Sequence, residues 1–324
     1  MPARAIAHAR FCAVLSLCLV AACGETASTG TLDVLLAAED TVTEGLAAGT
    51  GDEDVVDGWS VSFERYIVVV SDVEVAGGAA AELHDADAIA VDLTALDEAG
   101  LSIARFESAP AGAWPEVGFS TPAADADTMR HASVSEADLA RMIAGGCTYL
   151  IVGELTNAAG QRCLGGDSTM CSAASTIAFD LCVPAATVFG PCESDTGIEG
   201  LTIAAGATTT VNFTIHGDHL FFNGFPEGAE GSVARRAQWM ANADVDADGT
   251  VTQADLESIG ASDLGQLLPS DLGDGRPGFA LGGAPMIDGH GLESAWDYVR
   301  AQLKTQGHFQ GEGECPWDGT AHAH

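Results

Sequence analysis

Apolar and polar positions alternate along much of the first two-thirds of the chain, and alternation with a period of two marks strands with one buried face. Ser60–Tyr66 shows it, and Thr208–Ile215 shows it most cleanly: Val211, Phe213 and Ile215 share one face, Asn212 and Thr214 the other; Thr31–Ala38 is a further strand candidate. Ile67–Val75, rich in β-branched residues, predicts a further strand, as do Ala88–Leu93, Trp114–Ser120, Tyr149–Leu155 and Thr176–Val183. Gly, Asp and Asn clusters separate these runs. Many short strands so spaced predict a mainly β fold built as an antiparallel β-sandwich. One helix is expected to interrupt them, capped by Ser133 or Ser135, running through Ile143 and stopped by Gly145 and Gly146.

After about residue 224 the period changes. Ser232–Ala243 predicts a helix with Ser232 as N-cap, and Gln253–Ile259 a short one stopped by Gly260. Gly291–Gln306 places Leu292, Trp296, Val299 and Leu303 on one face. The expected organisation is therefore a signal at 1–22, a β-sandwich-like domain at 23–223 and an α-helical C-terminal part at 224–324 that packs against it.

The start of the chain sets the compartment. Residues 1–10 carry Arg4 and Arg10 and no acid, and residues 11–22 are apolar, too short to span a bilayer and laid out like a secretory signal. The run ends Val20-Ala21-Ala22-Cys23-Gly24, which resembles the lipobox of bacterial lipoproteins. That resemblance implies lipidation of Cys23, anchoring through several acyl chains and, with Gly24 after the cysteine, an outer-membrane location facing the periplasm or the surface. Ordinary cleavage after Ala22 is the alternative. No other segment is long and apolar enough to cross a membrane.

The chain of 324 residues has 47 acids and 12 basic residues, a net charge of -35. Loss of Arg4 and Arg10 with the signal makes the remainder more negative still. Such a surface repels polyphosphates, which argues against a nucleic-acid partner, and it favours divalent cations. The sequence identifies no protein or glycan ligand. Beyond the signal and Cys23, six cysteines remain: Cys147, Cys163, Cys171, Cys182, Cys192 and Cys315. An even count in an exported chain predicts three disulfides, with fifteen possible pairings. Short loops favour Cys163 with Cys171 and Cys182 with Cys192, leaving Cys147 to tie Cys315 back to the sheet. No C-x-x-C spacing points to metal thiolates.

Residues 244–255 read D-V-D-A-D-G-T-V-T-Q-A-D. Calcium takes six to eight oxygens, and Asp244, Asp246 and Asp248 stand at alternate positions before a turn at Gly249. Thr250 offers a backbone carbonyl, Val251 an apolar anchor, Thr252 a direct or water-borne oxygen, and Asp255 closes the loop. This stretch resembles the EF-hand family, and the short exit helix is also comparable to the calcium loops of dockerin modules. Asp255 departs from the usual Glu by one methylene, which lowers the expected affinity and selectivity over magnesium. A single such loop points to a structural ion. With the segments Thr214–Phe222 and Gly307–Cys315 it gives the chain a resemblance to EF-hand-containing envelope lipoproteins of bacteria, which implies no particular activity.

A second cation chemistry is carried by histidines. His216-Gly-Asp-His219 follows the strand ending at Ile215, and His308 precedes Gly311-Glu-Gly-Glu-Cys315. If the C-terminus folds back, these three imidazoles converge with Asp218 or Glu312 into a site suited to zinc or copper. His84, His131 and His290 are isolated, and His322 and His324 lie on the tail. No G-x-S-x-G, H-E-x-x-H, P-loop or dinucleotide glycine motif occurs, so no enzyme activity is expected. The sequence reading is thus a calcium-stabilised structural or ligand-binding lipoprotein, with a transition-metal-handling protein as the alternative and a hydrolase as a remote third.

Overall fold

The computed structural model describes residues 28–51, 53–78, 82–97, 99–225, 233–268 and 278–317. The signal, Cys23, Ser232, His322 and His324 lie outside the described residues. The protein is mainly β, with two principal sheets. The first has the order Gly313–Glu314, Gly307–Phe309, Thr208–Ile215, Thr29–Ala38, Leu101–Pro110. The second has the main order Thr187–Phe189, Glu116–Thr121, Ser60–Ala76, Tyr149–Thr156, Thr176–Val183, Thr250–Val251. Side chains from both meet in one core, which holds Leu32, Val34, Phe213 and Ile215 together with Val68, Val70, Phe119 and Phe179.

The sheets are mixed, not antiparallel throughout. Thr29–Ala38 runs parallel to Thr208–Ile215 in register from Thr31 opposite Thr208 to Ala38 opposite Ile215. Thr250–Val251 is likewise parallel to Thr176–Val183. Alternation reports which face a residue occupies and carries no information on strand direction.

The two strands expected over residues 60–75 are one strand of 17 residues, Ser60–Ala76. It bends at register shifts between Phe63 and Arg65 and between Ser71 and Glu74, so its first half pairs with Tyr149–Thr156 and its second with Glu116–Thr121. The unbroken apolar run in its middle is buried on both faces. Tyr66, Val68 and Val70 enter the main core. Ile67 and Val69 enter a smaller cluster with Leu150 and with Met142 of the helix Glu136–Gly145. That helix is capped by the Ser135 side chain, which accepts from the Asp138 N–H, and ends on left-handed Gly146.

The segment after residue 224 supplies helices and also strands of both sheets, and its apolar side chains belong to the main core. The helix expected over Ser232–Ala243 forms only as Gln238–Asn242. Arg235 is held extended instead, bridged to Val55 on one side and Phe222 on the other, and bonded to the Asp218 carboxylate. The amphipathic helix is Ala295–Leu303, capped by Ser294. None of the helices among the described residues is long and apolar enough to cross a membrane.

The three disulfides are Cys147–Cys182, Cys163–Cys171 and Cys192–Cys315, so only the shortest of the expected pairings is present. Sheet register decides the other two. Cys182 lies opposite Leu150 in the antiparallel ladder, which brings it beside Cys147 just before that strand. Backbone bonds from Gly190 to Pro316 and from Glu193 to Glu314 lay Cys192 against Cys315. Bonds of this kind persist in oxidising compartments.

A titrating group lies at the margin of the core, where Asp57 is half-buried as a residue. The Asp57 carboxylate accepts from the Gln238 N–H at 2.8 Å. Burial pushes its pKa up to about 6, against bonds from Gln238 and Trp59 and the charge of Arg236, which lower it. The folded state therefore keeps a proton that the unfolded chain releases near pH 4. Stability falls as pH rises from about 4 to about 6, by up to about 3 kcal/mol. Denaturant unfolding across that range is expected to show the fall in the wild type relative to Asp57→Asn, which keeps the acceptor and cannot titrate.

Candidate metal centre

Two parallel strands deliver the first pair of side chains. Because Ala38 and Ile215 are in register, the residues that follow them, Glu39 and His216, leave the sheet side by side. His216 Nε2 lies 3.7 Å from Glu39 Oε1. The strand Gly307–Phe309 pairs antiparallel with the other edge of Thr208–Ile215 and sets His308 opposite Thr214. Cross-strand partners share a face, and so do residues two apart, so His308 comes to lie against His216. Their rings stack at 3.9 Å between centroids.

The third imidazole arrives through a tight turn. The 3-10 helix Gly217–Phe221 reverses the chain and carries His219 to 5.3 Å from the His308 ring and 5.9 Å from the His216 ring. Gly217 permits the turn to sit close, since a Cβ there would meet Val42 Cγ2 at 2.7 Å. Asp218 anchors it: two guanidinium nitrogens of Arg235 reach its Oδ2 at 2.6 Å, with Asp218 fully buried. Asp218 is thus an anchor of the turn and is not grouped with the imidazoles.

His216, His219 and His308 are all buried, and one ligand nitrogen of each lies within 4.8 Å of the others. Binding one ion with bonds of about 2 Å would require the stacked His216 and His308 rings to reorient so that their nitrogens converge. The protonation of His219 follows from its neighbour. The Thr305 hydroxyl donates to the Gln302 carbonyl at 2.8 Å, so it accepts from His219 Nδ1 at 2.9 Å. That makes Nδ1 the protonated nitrogen and Nε2 the one with the ligand lone pair. Removing an outer partner of this kind typically weakens metal binding about 10–100-fold. Thr305→Val is expected to show that loss in a metal titration, and Thr305→Ser to restore the affinity.

Carboxylates border the triad. Glu39, His216 and Glu312 form a second donor group, also within 4.8 Å of one another, in which Glu312 is exposed and Glu39 half-buried. Burial raises the Glu39 pKa, opposed by a bond from Thr214 and reinforced by the negative charges of Asp40, Asp218 and Glu53. A cation beside Glu39 reverses that penalty. Glu39 is invisible to motif reading because it is 177 positions from His216; the parallel register supplies the proximity.

The acidic loop is the other candidate. Asp244, Asp246 and Asp248 bring one carboxylate oxygen each within 4.8 Å of the others, with Asp244 fully buried and the other two exposed. Gly249 takes a φ of 94°, and its N–H donates to Asp244 Oδ2 at 3.0 Å. Asp246 and Asp248 accept from the N–H groups of Asp248 and Thr250 at 3.1 and 2.8 Å. Asp244 Oδ2 also contacts the Arg162 guanidinium, while its Oδ1 is buried with no hydrogen-bond partner. Thr250 continues into the short strand Thr250–Val251. Thr252 and Asp255, the other expected side-chain ligands, bond to each other. They form a reciprocal capping box on the helix Gln253–Glu257, with Asp255 Oδ2 accepting from the Thr252 N–H and hydroxyl at 2.9 and 2.6 Å. The flanking helices have five residues each.

No protein-family profile, curated protein or solved structure matches this chain.

Proposed function

We propose that this protein binds a divalent transition metal, Zn(II) or Cu(II), at His216, His219 and His308, in an oxidising compartment outside the cytoplasm. The convergence of three buried imidazoles from separate chain segments supports the reading. Imidazole donors suit these ions, and all six described cysteines are in disulfides, so no thiolate competes for the role. Burial of every ligand favours retention of the ion and fits a handling or storage role. Within this reading the N-terminal sequence is a lipoprotein signal and Cys23 carries the anchor in the outer membrane. Titration with ZnCl2 and CuSO4 tests it. One equivalent of tight binding is expected, with nitrogen hyperfine structure from the imidazoles in the Cu(II) spin-resonance spectrum. Binding no tighter than that of a histidine-free surface, or a spectrum without coordinated nitrogen, would defeat the reading.

A second reading, calcium in an EF-hand-like loop, is favoured by the buried Asp244 oxygen that has no hydrogen-bond partner. Uncompensated burial of a carboxylate oxygen is unfavourable, and a cation shared with Arg162 relieves it. The ion acts on stability, because the loop joins the two short helices to the edge of the second sheet. At a calcium concentration a hundred times Kd the gain is about 2.7 kcal/mol. Chelation is therefore expected to lower the melting temperature, and Asp244→Asn to remove the difference between calcium and chelator.

A further inference from the structure

We infer that Glu312, Glu39 and His216 form an outer station that admits divalent metal ions from solvent to the buried triad; this rests on the metal-binding reading above. The two donor groups share one residue, His216. Around that shared imidazole the donors grade outward, from buried His219 and His308, through half-buried Glu39, to exposed Glu312. The five do not form one cluster, so the glutamates make a neighbouring position.

The covering of the triad favours this side for access. His219 is closed off by the Phe222 ring at 4.4 Å and by Thr305. The strand bearing His308 is shielded on the Gly307 side, where the Phe189 ring lies so close that a Cβ would meet it at 2.6 Å. Glu312, by contrast, sits at the tip of the hairpin formed by Gly307–Phe309 and Gly313–Glu314. Gln310 and Gly311 hold that tip with φ of 54° and 89°, and Thr214 donates to the Gly311 carbonyl at 3.2 Å. One hairpin therefore carries a buried ligand, His308, and an exposed carboxylate two turn residues beyond its strand.

The chemistry of a hydrated ion accounts for such a gradient. A divalent aquo ion gives up water stepwise. Exposed carboxylate oxygens attract it and exchange readily with water. His216 then offers a nitrogen on the same ion that its other neighbours complete. Carboxylates lining an approach raise association rates by about 10–1,000-fold in a manner that salt suppresses.

The test is the kinetics of Zn(II) uptake, followed by transfer from a chromophoric zinc indicator, and of Zn(II) release to excess chelator. The double variant Glu39→Gln with Glu312→Gln is expected to slow uptake and release together by about tenfold or more, leaving Kd within about twofold. Glu312→Lys, at an exposed turn position, is expected to slow uptake further. Raising the salt should slow the wild type by a larger factor than the double variant, which keeps only the general pull of the acidic surface. Faster release with unchanged uptake would make the glutamates ordinary ligands and overturn the station, as would rates equal to the wild type. If the wild type itself fails to bind Zn(II), the metal-binding reading fails and takes the station with it. Tight binding with unaltered uptake kinetics defeats the station alone.

Discussion

On the proposed metal-binding reading, His308→Ala is expected to lower the affinity for Zn(II) and Cu(II) by more than the about 10–100-fold that removal of an outer-sphere partner causes. The reason is coordination number. Two imidazoles remain, and the half-buried Glu39 is too far from His219 to join both in one compact set. The ring also stacks on His216, so its loss releases the orientation of a second ligand. Calorimetric titration of the folded variant measures the effect. His290→Ala, at an exposed histidine in a turn far outside the donor group, is the control and should bind like the wild type. An unchanged affinity in His308→Ala would exclude the triad as the binding site.

Opening the Cys192–Cys315 disulfide has the largest expected effect on stability. It spans 123 residues, against 8 for Cys163–Cys171. In the chain-entropy account the long loop contributes about 5 kcal/mol and the short one about 2.5 kcal/mol. The paired serine variants, Cys192→Ser with Cys315→Ser and Cys163→Ser with Cys171→Ser, avoid free thiols. Denaturant unfolding without reductant should rank them in that order. The long disulfide also fastens the hairpin that bears His308 and Glu312 to the segment after Phe189. Its loss should therefore weaken metal binding as well, whereas loss of the short one should leave the triad intact.

The legible and illegible parts of the fold divide along physical lines. Alternation in Thr208–Ile215 placed Val211, Phe213 and Ile215 in the core, while Thr214 on the other face is buried as well, beneath the returning C-terminal hairpin. Caps were local: of the two serines expected to cap the helix, Ser133 and Ser135, it is Ser135 that does so. Pairing partners were not local. The apolar run Ile67–Val70 gave no sign that it continues the strand before it, because a doubly buried strand lacks alternation. Cys182 lies nearer in sequence to Cys192 than to Cys147, and only the ladder with Tyr149–Thr156 reverses that preference. Thr252 and Asp255 read as calcium ligands, and the same two residue types at that spacing also make the capping box on Gln253–Glu257. His216, His219 and His308 could be grouped from sequence only by assuming that the C-terminus returns. Glu39 could not be grouped at all, because a parallel neighbour leaves no trace in the intervening sequence.

The parallel pairing of Thr29–Ala38 with Thr208–Ile215 fixes an order of events. The first strand of the described chain occupies an interior place in its sheet, and the neighbour on one side is made some 180 residues later. Contacts of such separation form late, after the loop between them has been closed. His308 comes later again, on a strand that pairs with Thr208–Ile215 on one side and Gly313–Glu314 on the other. A growing or truncated chain therefore has Glu39 and His216 but no triad. On the proposed metal-binding reading, the triad is incomplete until the C-terminal hairpin seats, and a chain cut short of residue 308 lacks one of its three imidazoles.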